Sequence, residues 1–119
     1  MECVRHRDEA DSLKIVEPWG SLTWLVNKTF LGSNTLTVGR VVIKRGMSNP
    51  RHLHPNSEEI LYLLKGKLQH SLGNEKVLLK EGDTLRIDAG VAHNAMSIGD
   101  VDADMIVVYP TPDRQFITE

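Results

Sequence analysis

Three of the five histidines, His52, His54 and His93, lie in polar stretches punctuated by glycine and proline. His52 and His54 are two positions apart. On a strand, residues i and i+2 share a face, so both imidazoles would project together with Leu53 opposite. Two imidazoles placed this way can reach one metal ion. Glu59, on the following β-prone run, offers a hard oxygen donor, and His93 a third imidazole. Three nitrogens and one oxygen with room for water suit one divalent transition metal ion (Mn, Fe, Ni, Co, Cu or Zn) and are too nitrogen-rich for Ca²⁺ or Mg²⁺. On spacing alone, an H-x-H pair also fits ordinary loop histidines, so both readings stand at this point.

Other residues could line a site around such an ion. Arg40 shares a strand face with Leu36, Val38 and Val42. A guanidinium there could clamp a substrate carboxylate or phosphate, or could pair with a nearby acid. His70 alternates with Leu68 and Leu72 and reads either as a general base beside the metal or as a satisfied core histidine. Trp19 and Trp24 either cap a cavity mouth or anchor the N-terminal strand. Met96, Met105 and Tyr109 read as packing.

The elements that must hold these residues are short. β-prone runs over 21–26, 35–44, 59–64, 67–72, 76–79, 84–87, 93–98 and 104–109 alternate with glycine-containing turns, and no helix-period stretch stands out. This spacing predicts an all-β sandwich or barrel, with a tight hairpin at Gly73-Asn74. In the 59–64 run, Glu59, Leu61 and Leu63 share one face and Ile60, Tyr62 and Leu64 the other. Both faces are therefore expected to be buried, one in the core and one against a second sheet or a second subunit.

Composition bounds the function. The 119 residues carry 14 Lys+Arg and 16 Asp+Glu, for a formal charge of −2. That length fits one domain, and the near-neutral balance argues against a nucleic-acid partner. The sole cysteine, Cys3, forms no intramolecular disulfide. The charged first dozen residues lack the apolar core of a signal peptide, and no apolar run is long enough for a membrane span. A cytoplasmic location is expected.

Residues 46–66, GMSNPRHLHPNSEEILYLLKG, resemble the first motif of the cupin superfamily, G-x5-H-x-H-x3-4-E-x6-G, with Gly46, His52, His54, Glu59 and Gly66 on its fixed positions. Residues 82–97, GDTLRIDAGVAHNAMS, are similar to the second motif, G-x5-P-x-G-x2-H-x3-N, through Gly82, Gly90 and His93. Asp88 stands in place of the motif proline and Ser97 in place of its asparagine. These departures bear on the turn before Gly90 and on one buried polar contact after His93, not on the ligands.

The resemblance implies an all-β cupin double-stranded β-helix, a jelly-roll barrel with the metal inside, held by His52, His54, Glu59 and His93. Six residues separate Glu59 from Gly66, which makes Glu59 the ligand and Glu58 its outward neighbour, although a local bulge would exchange them. On this reading 1–119 is a single cupin domain: an arm or edge strand over 1–18 (13–16 being the strand candidate), a barrel over 19–109, and a tail over 110–119 that leaves it.

Cupins act as isomerases or epimerases, lyases or decarboxylases, and dioxygenases. The carboxylate ligand disfavours the all-histidine thiol dioxygenase type, and the short chain disfavours likeness to two-domain oxalate decarboxylases. The expected function is a metal-dependent enzyme on a small oxygenated metabolite, a sugar or a hydroxy or keto acid, with Arg40 and His70 as catalytic candidates. The alternative is a non-catalytic small-molecule-binding or sensor protein with a structural metal. A small-molecule ligand and a homodimer are the expected partners.

Overall fold

A computed structural model describes residues 3–119. In chain order its elements are α1 (Arg7–Ser12), β1 (Ile15–Glu17), β2 (Gly20–Val26), β3 (Thr37–Ile43), β4 (His52–Leu53), β5 (Glu59–Lys65), β6 (Lys67–Leu72), β7 (Glu75–Lys80), β8 (Thr84–Ile87), β9 (His93–Ser97), β10 (Ala103–Tyr109) and β11 (Ile117–Thr118). The strands form two antiparallel sheets. One runs β1-β2-β3-β10-β5-β8 and the other β11-β4-β9-β6-β7. This is the jelly-roll arrangement expected from the many short strands.

Period-2 alternation decides which side chains enter the space between the sheets. Along β10, Ala103, Met105, Val107 and Tyr109 are buried, while the residues between them are only half-buried. Along β5, Glu59, Leu61 and Leu63 are buried. Ile43, Leu61, Leu63, Leu68, Met105 and Val107 belong to one apolar core, whose removal from water drives the sheets together. The outer face of β5 differs from expectation: Tyr62 and Leu64 remain 44% and 47% exposed, because no element among the described residues packs over them.

Two glycines are required where strands turn. Gly66 joins β5 to β6 at φ 91°, and a Cβ there would stand 2.9 Å from the Ala103 Cα, so a side chain would collide with backbone. Gly73, at φ 59°, opens the two-residue loop between Leu72 and Glu75, which face one another across β6 and β7. A glycine at the first central position is the mark of a type II′ hairpin turn.

Both ends of the chain depart from the sequence reading. The N-terminal segment holds a short helix, α1, whose six residues bury only Ala10 and are too few to show a period. Asp8 and Glu9 sit in its first turn, where carboxylates complement the helix dipole. The edge strand falls at Ile15–Glu17, displaced toward the C-terminus from 13–16, and pairs with β2.

The expected free tail over 110–119 does not leave the barrel. The chain turns back after Pro110 and Pro112, and β11 pairs with β4 through Ile117↔Leu53 and Thr118↔His52. The Asn56 side chain donates to the Asp113 carbonyl at 3.0 Å and accepts from the Gln115 N–H at 2.9 Å. Arg51 and Glu119 form an ion pair at 2.8 Å. Residues 110–119 thus form a strap across the segment that carries His52 and His54.

Candidate metal centre

Each imidazole of the cluster is oriented by a backbone carbonyl. His52 lies on β4, opposite His93 at the start of β9, and His54 follows β4 in the loop that leads to β5. Their Nδ1 atoms stand 2.6 Å from the Pro50 carbonyl, 2.8 Å from that of Gln115 and 2.8 Å from that of Val91, for His52, His54 and His93 respectively. A carbonyl oxygen accepts only, so these contacts place hydrogen on Nδ1 and a lone pair on Nε2. This is the orientation that metal-ligating histidines take from their outer partners.

Glu59 opens β5 and points into the same space. His52, His54, Glu59 and His93 are all buried, and each offers a donor atom within 4.8 Å of the others. The His54 Nε2 and His93 Nε2 atoms stand 3.2 and 3.4 Å from Glu59 Oε1. These three buried atoms have no hydrogen-bond partner. With hydrogen on Nδ1, lone pairs face the carboxylate oxygen. With hydrogen on Nε2, lone pairs face the backbone carbonyls instead. A cation among the four donors removes the conflict, and the donor set fits one divalent transition metal ion.

The electrostatics agree with that fit. Burial pushes His52 down to about 4 from its ordinary 6.5, the Pro50 carbonyl partly offsets this, and the neighbouring His93 and His54 lower it further. The ring is neutral near pH 7, as a ligand must be. Burial works against the charge of Glu59, but contacts and charge interactions with His54 and His93, of a kind that only positively charged rings supply, outweigh it and hold the carboxyl below the ordinary range; a bound cation would take that place.

Glu58 lies outward, beside Arg86 at 3.3 Å, in line with the reading that Glu59 points inward. The two motif departures have local outcomes. Asp88 pairs with Arg86, and its carbonyl accepts the Val91 N–H at 3.3 Å, which still closes the turn. Ser97 leaves its buried hydroxyl without a partner among the described residues, the cost of the shorter side chain at that position.

The cluster opens on a cavity of about 330 Å³. His70 lines it, 1% exposed, with its ring stacked on that of His93 at 5.6 Å between centroids and its Nδ1 donating to the Ser71 carbonyl at 3.0 Å. Burial pushes His70 down to about 4. Arg40 does not reach the cavity. It lies on the outer face of β3, paired with Asp104 of β10 at 2.9 and 2.6 Å, so the structure favours its ion-pair reading over a substrate clamp. Trp19 lines the cavity, and Trp24 packs on Gly39, where a Cβ would stand 3.0 Å from its ring.

Of the cavity residues that escaped the sequence reading, two bear on its chemistry. Tyr109, read as packing, lies at the inward end of β10 with its ring 5.0 Å from that of His54. Burial, and next the Glu59 charge, raise its phenol well above the ordinary value, with Arg114 opposing. The alternation of β10 was the signal that could have found it. Arg114, on the strap, also lines the cavity, and nothing in the local sequence marked it.

Comparison with known proteins agrees with this geometry. Residues 39–109 match the cupin domain family, and the chain belongs to that family. It is similar to germin-like protein subfamily 3 member 2 of Arabidopsis thaliana, at 34% identity over 66% of this chain and 38% of the relative. It is also similar to polyketide synthase CurC of Streptomyces cyaneus, at 28% identity over 84% of this chain and 68% of the relative. Among solved structures, oxalate decarboxylase of Bacillus subtilis, described with Mn(II) centres, superposes with a TM-score of 0.83 at 20% identity, covering 88% of this chain and 29% of that one. The chain therefore spans well under half the length of the germin-like protein and of the decarboxylase. No helix among the described residues is long and apolar enough to cross a membrane.

Proposed function

We propose that this protein is a metal-dependent enzyme acting on a small oxygenated metabolite, a hydroxy or keto acid in preference to a sugar. The observation that carries the reading is that Tyr109, His70 and Arg114 line the same cavity as the ligand cluster. A site that only bound its ligand could use an anchoring charge such as Arg114 but would not need a proton donor such as Tyr109. A bound divalent ion would polarise a substrate oxygen and stabilise negative charge developing on it.

The chain's own residues do the rest. Tyr109, with its phenol pKa raised, holds its proton at neutral pH and can donate it within the cavity. His70, neutral and fixed by the Ser71 carbonyl, keeps the His93 ring in place. The apolar wall excludes water from the reacting groups. Isomerisation, lyase chemistry and oxygenation are all compatible with these parts.

The test is turnover of a panel of hydroxy acids, keto acids and sugars by Mn(II)- or Fe(II)-loaded protein, followed by NMR. Turnover that is lost in Tyr109→Phe while metal content stays unchanged supports the reading. Undiminished turnover in that variant removes Tyr109 from the chemistry. Saturable binding without turnover of any compound identifies a binding protein instead.

The proposal extends to a homodimer in the cytoplasm. The exposed Tyr62 and Leu64 on the outer face of β5 support the dimer, and a monomeric mass by light scattering at micromolar concentration would exclude it. The lone free thiol of Cys3 is in keeping with a reducing compartment.

A further inference from the structure

The cavity beside the ligand cluster is at the lower end of the size range of pockets for drug-sized ligands, and its lining is uneven. Leu22, Val41, Leu61, Met105 and Val107 form an apolar wall on one sheet, continued by Trp19. Opposite them stand the imidazoles. Of the described residues that line the cavity, Arg114 is the sole permanent cation, and Glu17 and Glu59 are the carboxylates.

Arg114 is held by aromatic rings. Its guanidinium carbon lies 4.6 Å from the Trp24 ring, 5.3 Å from that of Tyr109 and 5.2 Å from that of Phe116. Cation–π contacts of this kind fix a guanidinium while leaving its in-plane N–H donors free. Its Nη1 is 3.4 Å from His54 Nδ1, but that nitrogen gives its hydrogen to the Gln115 carbonyl and has no lone pair for Arg114. Arg40, Arg51 and Arg86 each pair with a carboxylate, whereas among the described residues no Asp or Glu pairs with Arg114.

We propose that Arg114 is the substrate anchor: it binds the carboxylate of an α-keto or α-hydroxy monoacid whose apolar body packs on the Leu22–Val41–Leu61–Met105–Val107 wall. This deepens the function proposed above and rests on it for the ion that would meet the α-oxygen. The formal charges fit one anionic group. A divalent ion and Arg114 contribute three positive charges and Glu17 and Glu59 two negative ones, which leaves one to be neutralised. Oxalate, the substrate named for the structural relative, carries two carboxylates and no apolar body to set against the wall.

Isothermal titration calorimetry on Mn(II)-loaded protein tests this with four probes: phenylpyruvate, pyruvate, oxalate and the neutral ketone phenylacetone. Phenylpyruvate is expected to bind more tightly than pyruvate or oxalate. Arg114→Gln should weaken phenylpyruvate binding by about tenfold to a hundredfold, the worth of a charge-assisted hydrogen bond, with phenylacetone binding and metal content unchanged. Arg114→Lys, which keeps the charge but not the fork, should lose less and covers the case in which the glutamine variant does not fold. Equal phenylpyruvate affinity in the wild type and a folded Arg114 variant, no phenylpyruvate binding at all, or tighter binding of oxalate would overturn the proposal. Elemental analysis keeps the two readings apart. A protein that takes up none of Mn(II), Fe(II), Co(II), Ni(II), Cu(II) or Zn(II) breaks the metal-enzyme reading, while the Arg114 comparison can still be made on the metal-free protein.

Discussion

The two sheets obey the same alternation but fill their inward positions differently. The six-stranded sheet turns Leu61, Met105 and Val107 toward the cavity, whereas the five-stranded sheet turns His52, His70 and His93 toward it. One wall is held by burial of apolar surface, and the other consists of polar rings whose hydrogens are committed to backbone carbonyls. Glu17, Glu59 and Tyr109 are the polar exceptions on the apolar sheet, and Glu59 is the donor it sends across to the imidazoles. The difference teaches that removing groups from one wall should cost stability, and from the other metal.

The largest effect is expected on the imidazole wall. Replacing His52 and His54 together by Ala should take the protein from about one transition-metal ion per chain to almost none, read by elemental analysis of untagged protein. Stoichiometric metal retained in the double variant would break the assignment.

On the other wall, Leu61→Ala, at a position 2% exposed, should cost about 2–5 kcal/mol in urea unfolding, with metal still bound by the folded fraction. A loss below 1 kcal/mol would mean that the apolar wall is not a packed one.

A smaller, graded effect should follow pH. In the metal-free protein His52 and His70 have folded pKa values of about 4, while unfolded imidazoles titrate at about 6.5. Their contribution is fully present above 6.5. As pH falls from 6.5 to 4, the unfolded state binds protons that the folded state does not, so stability declines across that window. Urea melts at pH 7.0, 5.5 and 4.5 should show the decline, and His70→Gln should make it shallower. An equal slope in that variant would show that His70 is not held neutral.

Much of the site was legible in the sequence because a strand's period converts spacing into direction. His52 and His54 two apart, and Glu59 in phase with Leu61 and Leu63, made a shared site one of two open readings, and the two cupin motifs rather than spacing alone singled out the four donors. The motif glycines marked turns that only glycine can make, as at Gly66. What could not be read was set by distant pairing. β11 is two residues long and has no pattern of its own; its place comes from β4. Arg114 reaches the cavity only because that pairing folds the strap back. α1, at six residues, is too short for a periodic signal. Tyr109 lay in plain sight on β10, but its type suits packing as well as proton transfer, and only its position against Glu59 and His54 separates the two.

The bond from His54 to the Gln115 carbonyl bears on the order of assembly. The chain is made from its N-terminus, so His52, His54, Glu59 and His93 all exist before Gln115 does. The acceptor that fixes the His54 tautomer is therefore the last part of the cluster to be synthesised. A chain that stops short of Gln115 thus lacks one of the three carbonyls that orient the imidazoles.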